Sequence, residues 1–246
     1  MCGRYAFLLP PEAMAQLFKI LNEVGMYPPR YNIAPTQPVI TILERQGRRT
    51  AELFRWGFVP GWVKDPKEWP LLINARADSM ADKPSFRDAL RNTRCIIPAT
   101  GYYEWKKGPD GERRPFYITS SETETMAFAG LYSTWSGPNG EEVDTVCIVT
   151  TDPNPEISEV YDRMPVILRG EQAIDDWLNT REVEPRDVLP LMLPAPPGTM
   201  RFHPVAKTIG RADAEGPELI APFEGEWESS KPKKKAAGGS RQLDLF

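Results

Sequence analysis

The sequence predicts an α+β fold. Three observations carry that expectation: helix-period segments are few, they are separated by runs of strand pattern in the order helix, strands, helix, strands, helix, and no internal repeat is present. Residues 11–22 read as a helix, because Pro11 suits a first-turn position and Met14, Leu17, Phe18 and Leu21 recur at helical spacing. Residues 85–92 read as a second, with Ser85 as its N-cap and Phe86 and Leu90 facing inward. Residues 171–179 read as a third, with Ile174, Trp177 and Leu178 on one face. Strand pattern covers 39–43 and 51–56 around a turn at Gln46 and Gly47, then 94–98, 116–119, 126–132 and 143–150.

The 246 residues suffice for one large domain or two small ones, and 41% hydrophobic with 26% charged residues is ordinary for a chain with a buried core. The 26 prolines, about twice average usage, are scattered between elements and imply long ordered loops. We read residues 1–227 as one domain. Beyond it, residues 228–246 read as a flexible basic linker that ends in an apolar pentapeptide. No run approaches the roughly 20 apolar residues of a membrane span, no export leader is visible, and three widely spaced cysteines make no disulfide framework. A cytoplasmic monomer is the expected setting.

The net charge is −4, but the last eighteen residues carry five bases and one acid, which leaves 25 bases against 33 acids before them. Such a body does not coat duplex DNA through dense Lys and Arg, so any nucleic-acid site must be a local arginine cluster. The single histidine, His203, excludes imidazole-rich metal centres and two-histidine acid–base schemes. A zinc site from Cys2, Cys95, Cys147 and His203 lacks the close cysteine pair that structural zinc uses, and no metal or other cofactor is expected.

The candidate chemistry begins at Cys2. Loss of Met1 would leave a thiol and a free α-amine on one residue, with reference pKa values of about 8.5 and about 7.7–8.0. The amine can form a Schiff base with an aldehyde, and the sulfur can then close a thiazolidine ring. Taken alone, the position favours a residue that merely packs in a partly buried amino-terminal strand. Asn74 and Arg76 follow the apolar run LLI: an amide that orients a polar group and a guanidinium that grips phosphate. Glu104 lies next to Tyr102, Tyr103 and Trp105, the aromatic setting in which a carboxyl pKa rises. In isolation an ordinary solvated strand end is the simpler reading. Tyr161, Asp162 and Arg163 precede an apolar strand, where an Asp–Arg surface pair is the simpler reading.

Together these blocks resemble one family, the SRAP proteins (SOS response-associated peptidases, or abasic-site processing proteins). The blocks are MCGRY at the start, YNIAPTQ at 31–37, WGFVPGW at 56–62, NARAD at 74–78 and PSFRDA at 84–89. They continue with RCIIPATGYYEW at 94–105, FAGLYSTW at 128–135, DRMPVIL at 162–168 and GPELIAP at 216–222. The resemblance implies a mixed, largely antiparallel curved sheet core flanked by helices, and covalent capture of abasic sites in single-stranded DNA. By motif, Cys2 resembles the residue that forms the thiazolidine, Asn74 the amide that positions the sugar, and Glu104 the acid–base carboxylate. Arg4, Arg76 and Arg163 resemble the holders of flanking phosphates. The same cysteine is associated with autoproteolytic loss of Met1. Of the tryptophans in WGFVPGW, Trp56 is read as core, while Trp62 is open to stacking on bases.

One departure stands out: Tyr161 occupies the place where the family usually has histidine. Tyrosine titrates near 10 and is a poor two-way proton shuttle, so capture is expected to persist while ring opening or reversal slows. His203, between Phe202 and Pro204 in what reads as a loop, is not expected to substitute. Two other classes remain: a damage adaptor that only binds DNA, and an amino-terminal-nucleophile amidotransferase, which also opens MCG but needs histidine- and glycine-containing loops that are lacking here. Finally, QLDLF looks like the pentapeptide by which bacterial replication proteins bind the sliding clamp. Leu243, Leu245 and Phe246 would fill apolar pockets, and Gln242 would supply hydrogen bonds.

Overall fold

The computed structural model describes residues 2–22, 25 and 27–225. In chain order these hold β1 (Tyr5–Phe7), α1 (Pro11–Phe18), β2 (Arg30–Ile33), β3 (Pro38–Arg45), β4 (Arg48–Trp56), β5 (Asn74–Arg76), α2 (Arg87–Asn92) and β6 (Arg94–Ala99). They continue with β7 (Gly101–Lys107), β8 (Arg113–Ser120), β9 (Met126–Ser136), β10 (Glu142–Thr151), α3 (Pro155–Ser158), β11 (Met164–Pro165), β12 (Ile167–Leu168), α4 (Glu171–Leu178) and β13 (Met200–Pro204). The fold is α+β, mostly strand, with helices at the margins.

Two sheets form the body. In the larger, β4 pairs with β3, β3 with β6, β6 with β9 and β9 with β10, all antiparallel. The start of β10 then pairs in parallel with the end of β4, which closes a ring of five strands. Closure buries the inner face of the ring, and β4 alternates in and out accordingly. Every residue of β6 is buried, as are the first six of β9, because α2, α4 and β1 also pack against the outer side of β6, and α2 against β9. The second sheet runs β13–β8–β7–β1–β2. The chain passes from ring to sheet at Thr100, whose N–H donates to Ala6 O at 2.8 Å.

β7 has two distinct faces, as a strand side-chain period of two requires. Tyr102 belongs to the main core with Trp56, Phe128 and Cys2. Tyr103 and Trp105 belong to a smaller cluster roofed by Val205, Ile209 and Leu219 of the carboxy-terminal segment. That segment is held by Asn32, whose Nδ2 donates to Arg211 O and Ala214 O at 2.8 Å each, and by Phe223 N–H on Pro204 O at 2.8 Å. Gly101 permits this packing, because a Cβ there would lie 2.3 Å from the Tyr117 ring. The hairpin between β3 and β4 turns through Gln46 (φ 55°) and Gly47 (φ 74°), the left-handed pair that a two-residue turn needs.

Several elements differ from the sequence reading. α1 stops at Phe18 rather than residue 22: Lys19 turns left-handed (φ 54°) and Ile20 bridges to Arg49. Met14 and Phe18 are buried as expected, whereas Leu17 and Leu21 face solvent. α2 starts at Arg87, with Phe86 in the N-cap place and no side-chain cap from Ser85. His203 lies on β13, opposite Tyr117, and not in a loop. The sequence pattern missed the strands β2, β5, β7 and β13, while the apolar strand expected after Arg163 is present as two short strands, β11 and β12, and the amino-terminal strand as β1. The 227/228 boundary and the pentapeptide at 242–246 lie outside the described residues. No helix among the described residues is long and apolar enough to cross a membrane.

Candidate active site around Cys2

β1 and β7 pair with Tyr5 opposite Tyr102, and Tyr103 N–H donates to Arg4 O at 2.9 Å. This register brings the amino-terminal strand against the polar end of β7, where Cys2 and Glu104 are both almost wholly buried. The third element is β5, which runs parallel to β10 with Asn74 opposite Ile148. From there Asn74 Nδ2 donates to Cys2 O at 3.3 Å and to Ile148 O at 3.4 Å. Its Oδ1 is buried and has no hydrogen-bond partner among the described residues. An open acceptor beside Cys2 can take a hydroxyl or amine proton.

Burial raises the Cys2 thiol well above its usual range, the Glu104 carboxylate raises it further, and the positive amino terminus opposes both. Burial also pushes Glu104 up to about 7, against the lowering influence of the amino terminus and the Trp105 backbone. A carboxyl poised there can donate and accept protons near neutrality. Tyr161, half-buried, is held protonated by burial first, then by Glu104 and Asp162.

The Glu104 shift carries a stability prediction. Folded Glu104 binds its proton up to about pH 7, whereas the unfolded side chain releases it near 4.5. Folding therefore loses stability as pH rises between those values, by about 3 kcal/mol at most. Glu104→Gln is expected to melt like the parent near pH 4.5 and above it at pH 8. Parallel thermal melts check this, and a parent–variant gap that does not change with pH contradicts it.

Arg76 and Arg163 flank the end of β10. Arg76 lies opposite Thr150, is exposed, and grips Asp78 through Nε at 3.0 Å and also through Nη2. Arg163 Nη2 donates to Thr150 O at 3.3 Å and to its hydroxyl, and its Nε is buried with no partner among the described residues. With Asp78, Thr151 and Asp152 they line one small cleft. Larger cavities of about 330 and 500 Å³ lie along α1 and residues 120–127, and Cys2, Asn74 and Glu104 line neither.

The remaining expected residues sit farther out. Arg4 turns to the carboxy-terminal segment: Nη1 donates to Asn32 Oδ1 at 2.7 Å and to Ile209 O at 3.1 Å. Trp62 is 60% exposed and meets Trp69 edge-on at 5.1 Å, while Trp56 is core, with Nε1 on Ile73 O at 2.9 Å. His203 Nε2 meets Ile220 O at 2.8 Å in the smaller cluster, away from Cys2.

The family model described as SOS response associated peptidase (SRAP) matches residues 1–212. The chain belongs to the SRAP family. A Bacillus subtilis (strain 168) relative named abasic site processing protein YoqW is 38% identical over 223 residues, 89% of this chain and 99% of that protein. The Rattus norvegicus abasic site processing protein HMCES is 28% identical over 291 residues, covering 99% and 81%. A Bacteroides thetaiotaomicron crystal structure shares the fold with TM-score 0.81 over 90% of this chain and 100% of that one, at 24% identity.

Within this SRAP chain, sequence reasoning overlooked two supporting residues and gave a third, Tyr102, no role beyond the aromatic setting of Glu104. Asn32 anchors Arg4, and Thr150 anchors Arg163. Tyr102 shares the face of Glu104, a relation that two-residue spacing alone signals. The first two had no local signal, because the bonds span strands that only folding joins.

Proposed function

We propose that this SRAP protein captures abasic sites in single-stranded DNA as a covalent adduct on Cys2, once Met1 has been removed by the chain's own peptidase activity. The observation that carries the reading is the meeting of Cys2, the open Asn74 acceptor and a Glu104 carboxyl near pKa 7 at one place. The names of the relatives support DNA lesions as the substrate class. The Cys2 amine adds to the sugar aldehyde, and Glu104 protonates the departing hydroxyl so that water leaves and an imine remains. The thiol then adds to the imine carbon and closes the five-membered ring. An abasic nucleotide has no base to unpair, so little flipping energy opposes this. Arg76 and Arg163 hold flanking phosphates, with phosphate replacing Asp78 on Arg76. Arg4 contributes charge and fixes the strand that carries Cys2. Trp62 stacks on a neighbouring base, a contact worth about 1–3 kcal/mol.

Intact-mass analysis before and after mixing with an abasic oligonucleotide tests the reading. A mass lacking Met1, followed by a protein–DNA adduct less one water, is expected; retained Met1 with no adduct contradicts it.

Tyr161 stays protonated at neutral pH and does not shuttle protons there. Tyr161→His is therefore expected to speed adduct formation, reversal or both by roughly tenfold. Time courses of crosslinking and release check it, and equal rates in both directions refute the role. The tail QLDLF is proposed to bind the bacterial sliding clamp and raise local concentration at replication forks, in the cytoplasm and nucleoid. Deleting residues 242–246 is expected to leave crosslinking of free oligonucleotides unchanged and to abolish clamp pull-down. Undiminished pull-down counts against it.

A further inference from the structure

β7 carries a second polar group on the face that holds Glu104. Side chains two apart on a strand point the same way, so Tyr102 stands one step deeper than the carboxylate. It is wholly buried, its ring is held edge-on to Phe128 at 5.9 Å, and it packs in one cluster with Cys2. Its hydroxyl has no hydrogen-bond partner among the described residues. Burying an unpaired hydroxyl costs stability, and phenylalanine would pack the same ring without that cost. A hydroxyl at such a position is free to donate to a partner that arrives with the reaction. Tyr102 lies within electrostatic reach of both Cys2 and Glu104, and burial keeps its phenol protonated, so it can only donate.

We propose that Tyr102 is a positioning residue for Cys2, its hydroxyl donating a hydrogen bond to the sulfur as the sulfur loses its proton. This rests on the reading of Cys2 as the capturing residue. In ring closure the thiol proton passes to the Glu104 carboxylate, and a sulfur electron pair forms the C–S bond at the imine carbon. The C=N π pair moves to nitrogen, which takes the proton back from Glu104. Tyr102 keeps its own proton throughout and stabilises only the anionic sulfur, a charge-assisted contact that the neutral thiol scarcely uses. The burial that suppresses the thiolate is thereby offset at the step that needs it.

The test is Tyr102→Phe in the full-length protein, which removes one oxygen and keeps the ring. Cys2 alkylation by iodoacetamide at pH 8, read by peptide mass spectrometry, follows both access to this buried thiol and its thiolate fraction, and removing one oxygen from Tyr102 is expected to change only the second. It is expected to fall about tenfold, as for a thiol pKa raised by about one unit. Cys95 and Cys147, in the same digest, are expected to label at their parental rates, and the melting temperature is expected to hold or rise. Borohydride-independent adduct with an abasic oligonucleotide is expected to slow by a similar factor, while borohydride-trapped imine accumulates. Unchanged Cys2 alkylation overturns the proposal, whatever happens to adduct yield, and so does a loss that Cys95 and Cys147 share. If the parent forms no adduct, the reading of Cys2 fails, and the alkylation comparison still decides Tyr102.

Discussion

Serine at position 2 is expected to eliminate the denaturation-resistant adduct with an abasic oligonucleotide, a loss of at least about a hundredfold. The substitution keeps the α-amine, so imine formation continues and borohydride still traps it. What disappears is ring closure by sulfur, because a serine hydroxyl is a far weaker nucleophile at neutral pH. Cys2 is 1% exposed and packs in the main core, so the serine hydroxyl also costs about 1–3 kcal/mol of stability unless it finds a partner. Thermal melts run beside denaturing gels separate the two effects. A folded serine variant with undiminished borohydride-free adduct would remove sulfur from the chemistry. Acetylating the α-amine of the parent gives the complementary loss, of imine and ring together.

Arg94→Met is expected to be the most destabilising single change remote from the site. Arg94 is 1% exposed, and its guanidinium donates only to backbone carbonyls: Trp177 O at 2.6 Å, Leu90 O and Asn179 O at 3.0 Å each, and Val183 O at 2.9 Å. It thereby ties the ends of α2 and α4 to β6, with the Trp177 ring 5.8 Å away. Burial lowers its pKa to about 10, which still leaves it charged at pH 7. Methionine fills the space but strands four acceptors, at about 1 kcal/mol each or roughly 4 kcal/mol in all. For a domain of this size that corresponds to a melting temperature about 8–16 °C lower. Lysine keeps the charge but cannot reach four divergent acceptors from one point, so the expected order is parent, Arg94→Lys, then Arg94→Met. Differential scanning calorimetry checks the order, and a methionine variant within about 2 °C of the parent contradicts it.

Arg94 also shows where sequence reading stopped. Residues 94–98 read correctly as a strand, because four apolar side chains in a row need burial on both faces. Nothing local told that the charged residue leading the run is buried as well, since its acceptors lie 83 to 89 positions away apart from Leu90. The same contrast separates the hairpin at Gln46 and Gly47, written in two adjacent residues, from β5, three residues long and a strand only because β10 lies beside it. α1 failed in the opposite sense. Leu21 continued the helical spacing, but pairing of Ile20 with Arg49 ended the helix first.

By itself, the sequence determined the chemical inventory and the fold class: one cysteine able to lead the chain, one carboxylate among aromatics, arginines local to an acidic body, and apolar runs with strand periodicity. Those properties follow from residue type and from spacings of two to four positions. Tertiary structure alone decided which groups meet. It set the amide of Asn74 on the carbonyl of Cys2 across 72 positions, turned Arg4 toward Asn32, placed His203 on a strand opposite Tyr117, and left the buried Tyr102 hydroxyl unpaired. The reason is that convergence depends on strand register and ring closure, which are settled by burial summed over the whole chain and leave no mark at any single position.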